Sequence, residues 1–192
     1  MLSFIQTLDE SFLLWIQETV RTPILTSIMQ FFSSLLDHGI LAIVLCIGLL
    51  LFKRTRKMGI TASLSLIICS IIVHLFLKPT IARPRPYHVL DILITLAQHP
   101  NDYSFPSGHT NAIFAVAGVL FFACPKKVGV PAIVTASLVG LSRVYLGVHF
   151  LTDVLVGALL GLLISYLCCR GMHILYVSKK LGRKKSSCYN ER

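Results

Sequence analysis

Residues 58–77 read MGITASLSLIICSIIVHLFL, a run without a single Asp, Glu, Lys or Arg. Residues 103–125, YSFPSGHTNAIFAVAGVLFFACP, are equally free of them. An apolar run of about 18 or more residues reads as a transmembrane helix, because a helix satisfies its own backbone polar groups where no water can. Further apolar stretches fall near 23–36, 39–52, 128–147 and 149–170. The first two are short for a full span, and the turn signal Asp37-His38-Gly39 divides them. Gly157 and Gly161, four apart in the last stretch, permit close helix packing.

The whole chain agrees with these runs. Its 192 residues suit one domain. Of them 55% are hydrophobic and only 14% charged, where soluble domains carry about 25% charged residues. Mean hydropathy is +0.76. A soluble enzyme and a disordered chain are both excluded. The expected fold is all-α, an integral-membrane six-helix bundle over residues 23–170. An N-terminal amphipathic helix over 1–21 precedes it and a basic tail, 171–192, follows, all within one domain. Ile5, Leu8, Phe12 and Trp15 share one face of that first helix. The periodicity fits equally an interfacial helix lying at the membrane surface and a helix partly buried against the bundle. No basic stretch precedes its apolar residues, so it does not read as a signal peptide.

The net charge of +10 comes from 18 Lys and Arg against 8 Asp and Glu. No nucleic-acid motif accompanies the basic residues, so nucleic acid is not an expected partner. Clusters at 53–57, 126–127 and 179–185 are separated by two spans each, which puts them on one side of a membrane. The positive-inside rule makes that side cytoplasmic, together with both termini. Lys78, Arg83, Arg85 and Arg143 then stand on the extracytoplasmic side, at span ends, beside His109, His149 and Asp153. Charges at a membrane boundary are costly unless solvated or paired. Four cations with two histidines and a carboxylate read as an anion site. The six cysteines lie in or beside apolar runs or in the tail and read as reduced thiols; none has Arg six residues later, so no Cys-x5-Arg phosphatase loop is present.

Three segments carry the chemistry. In SRVYLGVHFLTD, residues 142–153, His149 and Asp153 are four apart on an expected helix. The carboxylate there fixes the imidazole tautomer and leaves the other nitrogen as base or nucleophile; a purely structural pair fits the spacing equally well. Arg143 precedes them across Gly147, where the chain can turn. In FPSGHT, residues 105–110, Ser107 reads as the N-cap of a long helix, Gly108 lets backbone approach a ligand, and His109 sits in the first turn. In KPTIARPRP, residues 78–86, prolines stiffen the chain that carries Lys78 and Arg85. Arg83 best fits a solvated loop cation that assists binding. His88, Asp91, His99 and Asp102 lack a metal-ligand spacing and read as loop residues.

The ordered pattern Lys-x6-Arg-Pro, Pro-Ser-Gly-His and Ser-Arg-x5-His-x3-Asp resembles the three-part signature of the type 2 phosphatidic acid phosphatase superfamily, in its integral-membrane branch. The resemblance implies a metal-independent lipid phosphatase with no cofactor. By it, His149 attacks phosphorus and becomes a phosphohistidine, Asp153 orients it, and His109 protonates the leaving oxygen and later activates water. Lys78, Arg85, Ser107, Gly108 and Arg143 hold the phosphoryl oxygens. The substrate implied is a membrane lipid phosphate or pyrophosphate. The short outer segment is similar to that of bacterial undecaprenyl pyrophosphate phosphatases; phosphatidylglycerophosphate, phosphatidic acid and diacylglycerol pyrophosphate are the alternatives, as is phosphotransfer to another acceptor on the same scaffold. The soluble haloperoxidase branch shares the anion site but not the apolar runs.

Overall fold

A computed structural model describes the backbone of residues 2–35 and 39–189 and the side chains of 4–35 and 39–174. Asp37 and His38 of the expected turn, and the side chains of most of the basic tail, lie outside the described residues. The described elements are helical. They are α1 (Leu2–Trp15), α2 (Pro23–Ser34), α3 (Ile40–Leu51), α4 (Arg56–Ile71), the single turn α5 (Lys78–Ile81), α6 (Gly108–Ala123), α7 (Lys126–Tyr145) and α8 (Leu151–Tyr189). A π-helical segment, Ile72–Leu77, joins α4 to α5, so helical backbone runs on to Lys78 at the end of the apolar run.

Among the described residues, three stretches are by length and composition sufficient to cross a membrane: Arg56–His88, Lys126–Tyr145 and Leu151–Ile174. Ile40–Leu51 and Gly108–Ala123 are shorter apolar helices. The apolar exterior fits lipid. Leu155, Leu159, Leu163 and Leu167 repeat at helical spacing on α8 and all are exposed. Two polar residues of the same helix, Asp153 and Ser165, are instead fully buried, an inversion of the soluble pattern.

The buried helix α6 is the centre of the bundle and packs closely on α8. A Cβ added at Gly157 would stand 2.8 Å from the Ser107 carbonyl oxygen, and one at Gly161 would stand 2.8 Å from the Phe114 Cβ. The two glycines therefore do what their spacing predicts, bringing the backbone of α8 against the start and middle of α6. At the opposite end of α6, Cys124 Sγ lies 3.3 Å from Met58 Sδ at the start of α4. The basic clusters at 53–57 and 126–127 thus share one end of the bundle. Lys78, His109 and Arg143 share the other.

The helix boundaries follow local chemistry. Thr22 caps α2, its Oγ1 accepting from Leu25 N at 3.3 Å, with Pro23 at the first helical position. Ser107 caps α6, its Oγ accepting from Thr110 N at 3.4 Å and from Thr110 Oγ1 at 2.9 Å. Gly147 has φ +80°, a left-handed turn between α7 and α8 that Gly adopts without penalty. One expectation is corrected here. His149 is not on the helix with Asp153 but in the turn before α8, which begins at Leu151. The two still meet because Asp153, in the first helical turn, reaches back and accepts from Phe150 N at 3.0 Å.

Helix α1 is partly buried against the bundle. Leu13 and Ile16 pack with Tyr145, Leu146 and Val154, while Ile5, Leu8 and Trp15 face outward. Arg21, just beyond it, donates to the Tyr145 carbonyl through Nε at 3.1 Å and Nη2 at 2.9 Å.

Candidate active site

At the end of the bundle away from the basic loops lies a cavity of about 690 Å³. Lys78, Arg85, Gly108, His109, Arg143 and His149 all line it. They come from three sequence segments and three helix ends. Lys78 terminates the α4 extension, Gly108 and His109 open α6, Arg143 is in the last turn of α7, and His149 occupies the turn before α8. Lys78, Arg85 and Arg143 are all buried, an arrangement that stands only if the charges are paired.

His149 is the most enclosed group. Arg85 Nη1 donates toward its Nε2 at 3.2 Å. An acceptor role at Nε2 places the ring proton on Nδ1, which faces Asp153 Oδ2 at 3.5 Å and Ser104 Oγ at 3.4 Å. Ser104 Oγ donates to Asp153 Oδ2 at 2.5 Å. The carboxylate is thereby fixed from several sides and fixes the imidazole in turn. Burial, then Arg85 and Arg143, pull the imidazole well below its usual value, outweighing Asp153, and leave it at about 4. The ring is therefore neutral near pH 7, with Nε2 carrying a lone pair toward the cavity. The backbone reinforces the arrangement, since Ser107 N donates to the Asp153 carbonyl oxygen at 3.0 Å and ties the start of α6 to that of α8.

The cations are held by groups that the sequence did not single out. Asp102, read there as a loop residue, accepts from Lys78 Nζ and, at 2.5 Å, from Arg85 Nη2. Burial raises the affinity of this carboxyl for its proton, but Lys78 and Arg85 outweigh it and hold the group well below the ordinary carboxylate range. Arg85 Nε also donates to the Asp102 carbonyl at 2.8 Å, and Lys78 Nζ to that of Tyr103 at 2.9 Å. Arg143 Nη1 donates to Ser33 Oγ on α2.

Ser107 is fully buried and caps the start of α6 as its residue type predicts, beside the cavity-lining Gly108 and His109. One expected role changes. Arg83 is not a solvated loop cation. It points away from the cavity and pairs with Asp153 and with Asp9, because the left-handed residue Ala82 ends α5 and turns the chain toward α1 and α8. His74, one turn before Lys78, also lines the cavity; inside an apolar run it gave no signal. His88 and Asp91 are exposed, outside the cavity. Among the described residues no group of three or more His, Cys, Asp or Glu is arranged to hold a metal, and the five cysteines with described side chains are unpaired.

A nucleophile-bearing turn, a second histidine and three fixed cations about one cavity make an arrangement suited to phosphoryl transfer. Residues 58–175, which contain every one of these groups except those on α1 and α2, match the family described as the PAP2 superfamily. The chain belongs to the PAP2 superfamily. Its similarity to PAP2 phosphatases extends beyond the matched region. It is 31% identical over 159 residues to undecaprenyl-diphosphatase BcrC of Bacillus subtilis, covering 81% of this chain and 79% of that one. It is 43% identical over 119 residues to an undecaprenyl-diphosphatase of Sulfolobus acidocaldarius, covering 62% of this chain and 57% of that protein's length. Among solved structures it is similar to the transmembrane PAP2-type phosphatidylglycerolphosphate phosphatase of Bacillus subtilis, with TM-score 0.69 and 32% identity over 85% of this chain and 84% of that one. The helices and this PAP2 likeness make it a membrane-embedded protein.

Proposed function

We propose that the protein is a metal-independent lipid phosphatase acting through a phosphohistidine. In this reading residues 1–192 form one domain, the basic tail is cytoplasmic, and the site opens at the extracytoplasmic face of the cell membrane; the contacts of α1 with Arg83 and Thr152 put the start of the chain, against expectation, at that face and not on the cytoplasmic side. Helix α1 lies along the bundle at that same interface. The observation that carries the reading is the convergence of Lys78, Arg85 and Arg143 with His109 and His149 on one cavity, at the end of the bundle opposite the basic loops. The positive-inside rule supports the orientation.

In the reaction, His149 Nε2 attacks phosphorus as the bond to the leaving oxygen breaks. His109 gives that oxygen a proton. Lys78, Arg85, Ser107, Arg143 and the backbone at Gly108 balance the charge spread over the phosphoryl oxygens. Asp153 holds the Nδ1 proton and stabilises the imidazolium that forms. His109 then takes a proton from water as the water displaces His149 from phosphorus.

A cavity at the headgroup level of a membrane suits a lipid whose phosphate enters the site while its tail stays in the bilayer. Undecaprenyl diphosphate is the substrate favoured by the relatives' names. The fold likeness to a phosphatidylglycerolphosphate phosphatase supports phosphatidylglycerophosphate as the second reading. The test is phosphate release by purified protein in detergent from undecaprenyl diphosphate, phosphatidylglycerophosphate, phosphatidic acid and diacylglycerol pyrophosphate. Release is expected, fastest from undecaprenyl diphosphate; none from any of the four refutes the reading. Phosphate appearing on an added lipid or sugar acceptor instead of in solution identifies a transferase.

A further inference from the structure

Helix α1 carries an acid that a purely lipid-facing helix has no use for. Asp9 is only 3% exposed, while Ile5 and Leu8 on the same helix face outward. Its Oδ2 accepts from Arg83 Nη2 at 2.8 Å and from Thr152 Oγ1; its Oδ1 accepts from Thr152 N at 3.1 Å, at the start of α8. Arg83 is the hub. Its Nη1 donates to Asp153 Oδ1 at 2.6 Å and to Thr152 Oγ1 at 2.8 Å, its Nη2 donates to Gln6 Oε1 at 2.6 Å, and its guanidinium lies 4.1 Å from the centroid of the Phe150 ring. Neither Asp9 nor Arg83 lines the phosphate cavity.

The two oxygens of Asp153 are therefore divided. Oδ2 serves the reaction side, facing Ser104, Phe150 N and His149; Oδ1 is claimed from behind by Arg83. A carboxylate gripped at one oxygen cannot swing the other away from the imidazole. The planar fork of Arg83 is what allows one cation to hold two acids at once. Charge gives Asp9 its own part. Arg83 alone would cancel the charge of Asp153, whereas Asp9, Arg83 and Asp153 together leave one net negative charge behind His149, the sign that a developing imidazolium needs.

We infer that Asp9 and Arg83 are positioning residues for the reaction, with α1 holding Arg83, Arg83 holding Asp153, and Asp153 orienting His149. The inference rests on the phosphatase reading above. It makes the N-terminal helix a working part of the site and not only a membrane contact.

The test uses full-length purified protein and the wild type's best substrate from the lipid panel, with orthovanadate as a phosphate-site inhibitor. The variants are Arg83→Gln, Arg83→Lys, Asp9→Asn, Asp9→Glu and the double Asp9→Asn/Arg83→Gln. Arg83→Gln and Asp9→Asn are expected to lower kcat about ten- to a hundredfold, the scale of a misplaced reacting group, while KM and the vanadate inhibition constant stay within about threefold. Arg83→Lys, which keeps the charge but loses the fork, falls with them. Asp9→Glu recovers part of the loss. The double variant falls no further than Arg83→Gln alone, because members of one chain of contacts are not additive. An unchanged kcat overturns the inference. So does a rise in KM and inhibition constant at constant kcat, which would make Arg83 a substrate-binding cation. Additive losses overturn it as well, as independent packing effects. Should a Gln or Asn variant not fold, the charge-retaining Arg83→Lys and Asp9→Glu decide it by the same readings. Wild-type protein that releases no phosphate sinks the phosphatase reading; active wild type with unaffected variants sinks this inference alone.

Discussion

His149 Nδ1 stands 3.5 Å from Asp153 Oδ2, with both side chains closed to solvent. The pair comes from different local structures, a turn and the first turn of α8. Its geometry is set by what surrounds the carboxylate: Ser104, Phe150 N and Arg83 each hold it. A carboxylate so constrained specifies one tautomer of the ring and leaves Nε2 facing the cavity and Arg85.

His149→Ala is expected to abolish phosphate release, since no other group replaces the attacking nitrogen. Asp153→Asn is expected to keep the fold and lower kcat by roughly a hundred- to ten-thousandfold, as loss of the orienting carboxylate does in a Ser-His-Asp triad. Steady-state kinetics with circular dichroism of the same samples checks both. Near-wild-type turnover in His149→Ala removes His149 as nucleophile.

The low affinity of His149 for a proton gives a pH signature. The attacking form is neutral, and the ring in place protonates only near pH 4, against 6.5 for a free histidine. The acid limb of kcat/KM assigned to this group is expected near pH 4, with no loss between pH 7 and 5. Stability carries the same sign. Between pH 6.5 and 4 the unfolded chain binds a proton at this position that the folded chain refuses, so stability falls as pH drops through that window. A pH–rate profile whose acid limb lies at 6.5 contradicts the buried neutral imidazole.

Gly157 and Gly161 test how far packing and site are one structure. A Cβ at Gly161 meets the Asn111 carbonyl oxygen at 2.9 Å and Ala115 N at 3.0 Å, all from α6. Gly161→Ala is expected to cost about 1–3 kcal/mol by overpacking, seen as a lower midpoint of thermal unfolding in detergent. Gly157→Ala presses instead on Ser107, one residue from Gly108, and is expected to lower kcat as well. Gly48→Ala, with nothing within 4 Å, serves as the control and should change neither.

The bundle and most of the site were legible because each left a local signal. Charge-free runs marked the long helices. The fixed spacing of Lys78, Arg85, Ser107, His109, Arg143, His149 and Asp153 marked the three segments, and Ser107 and Gly147 announced a cap and a turn by residue type. What was hidden depends on tertiary approach. Asp9 looks like one polar position of an amphipathic helix; its contacts with Arg83 and Thr152 exist only because α1 folds back on the start of α8. Ser104 and Asp102 are common loop residues until the chain from 98 to 107 lies across Lys78 and Arg85. Arg83 and Arg85 are indistinguishable by charge and neighbourhood; the left-handed turn at Ala82 and the prolines that follow send one toward α1 and the other into the cavity.

Asp102 supplies the last prediction. Its carboxylate bridges Lys78 and Arg85, two of the three cations that line the cavity, yet its side chain is 46% exposed. A phosphate that takes up the same donors must displace this carboxylate. The displacement is feasible because an exposed acid regains water when it leaves, whereas the buried cations need a replacement anion. A neutral amide competes less well for those donors. Asp102→Asn is therefore expected to lower the inhibition constant of inorganic phosphate or orthovanadate by several-fold, in competition against the lipid substrate. The carboxyl is held below its ordinary range, so the effect should persist unchanged from pH 8 down to pH 5. A higher inhibition constant in Asp102→Asn would show the opposite, that Asp102 holds the cations in place for the phosphate and does not compete with it.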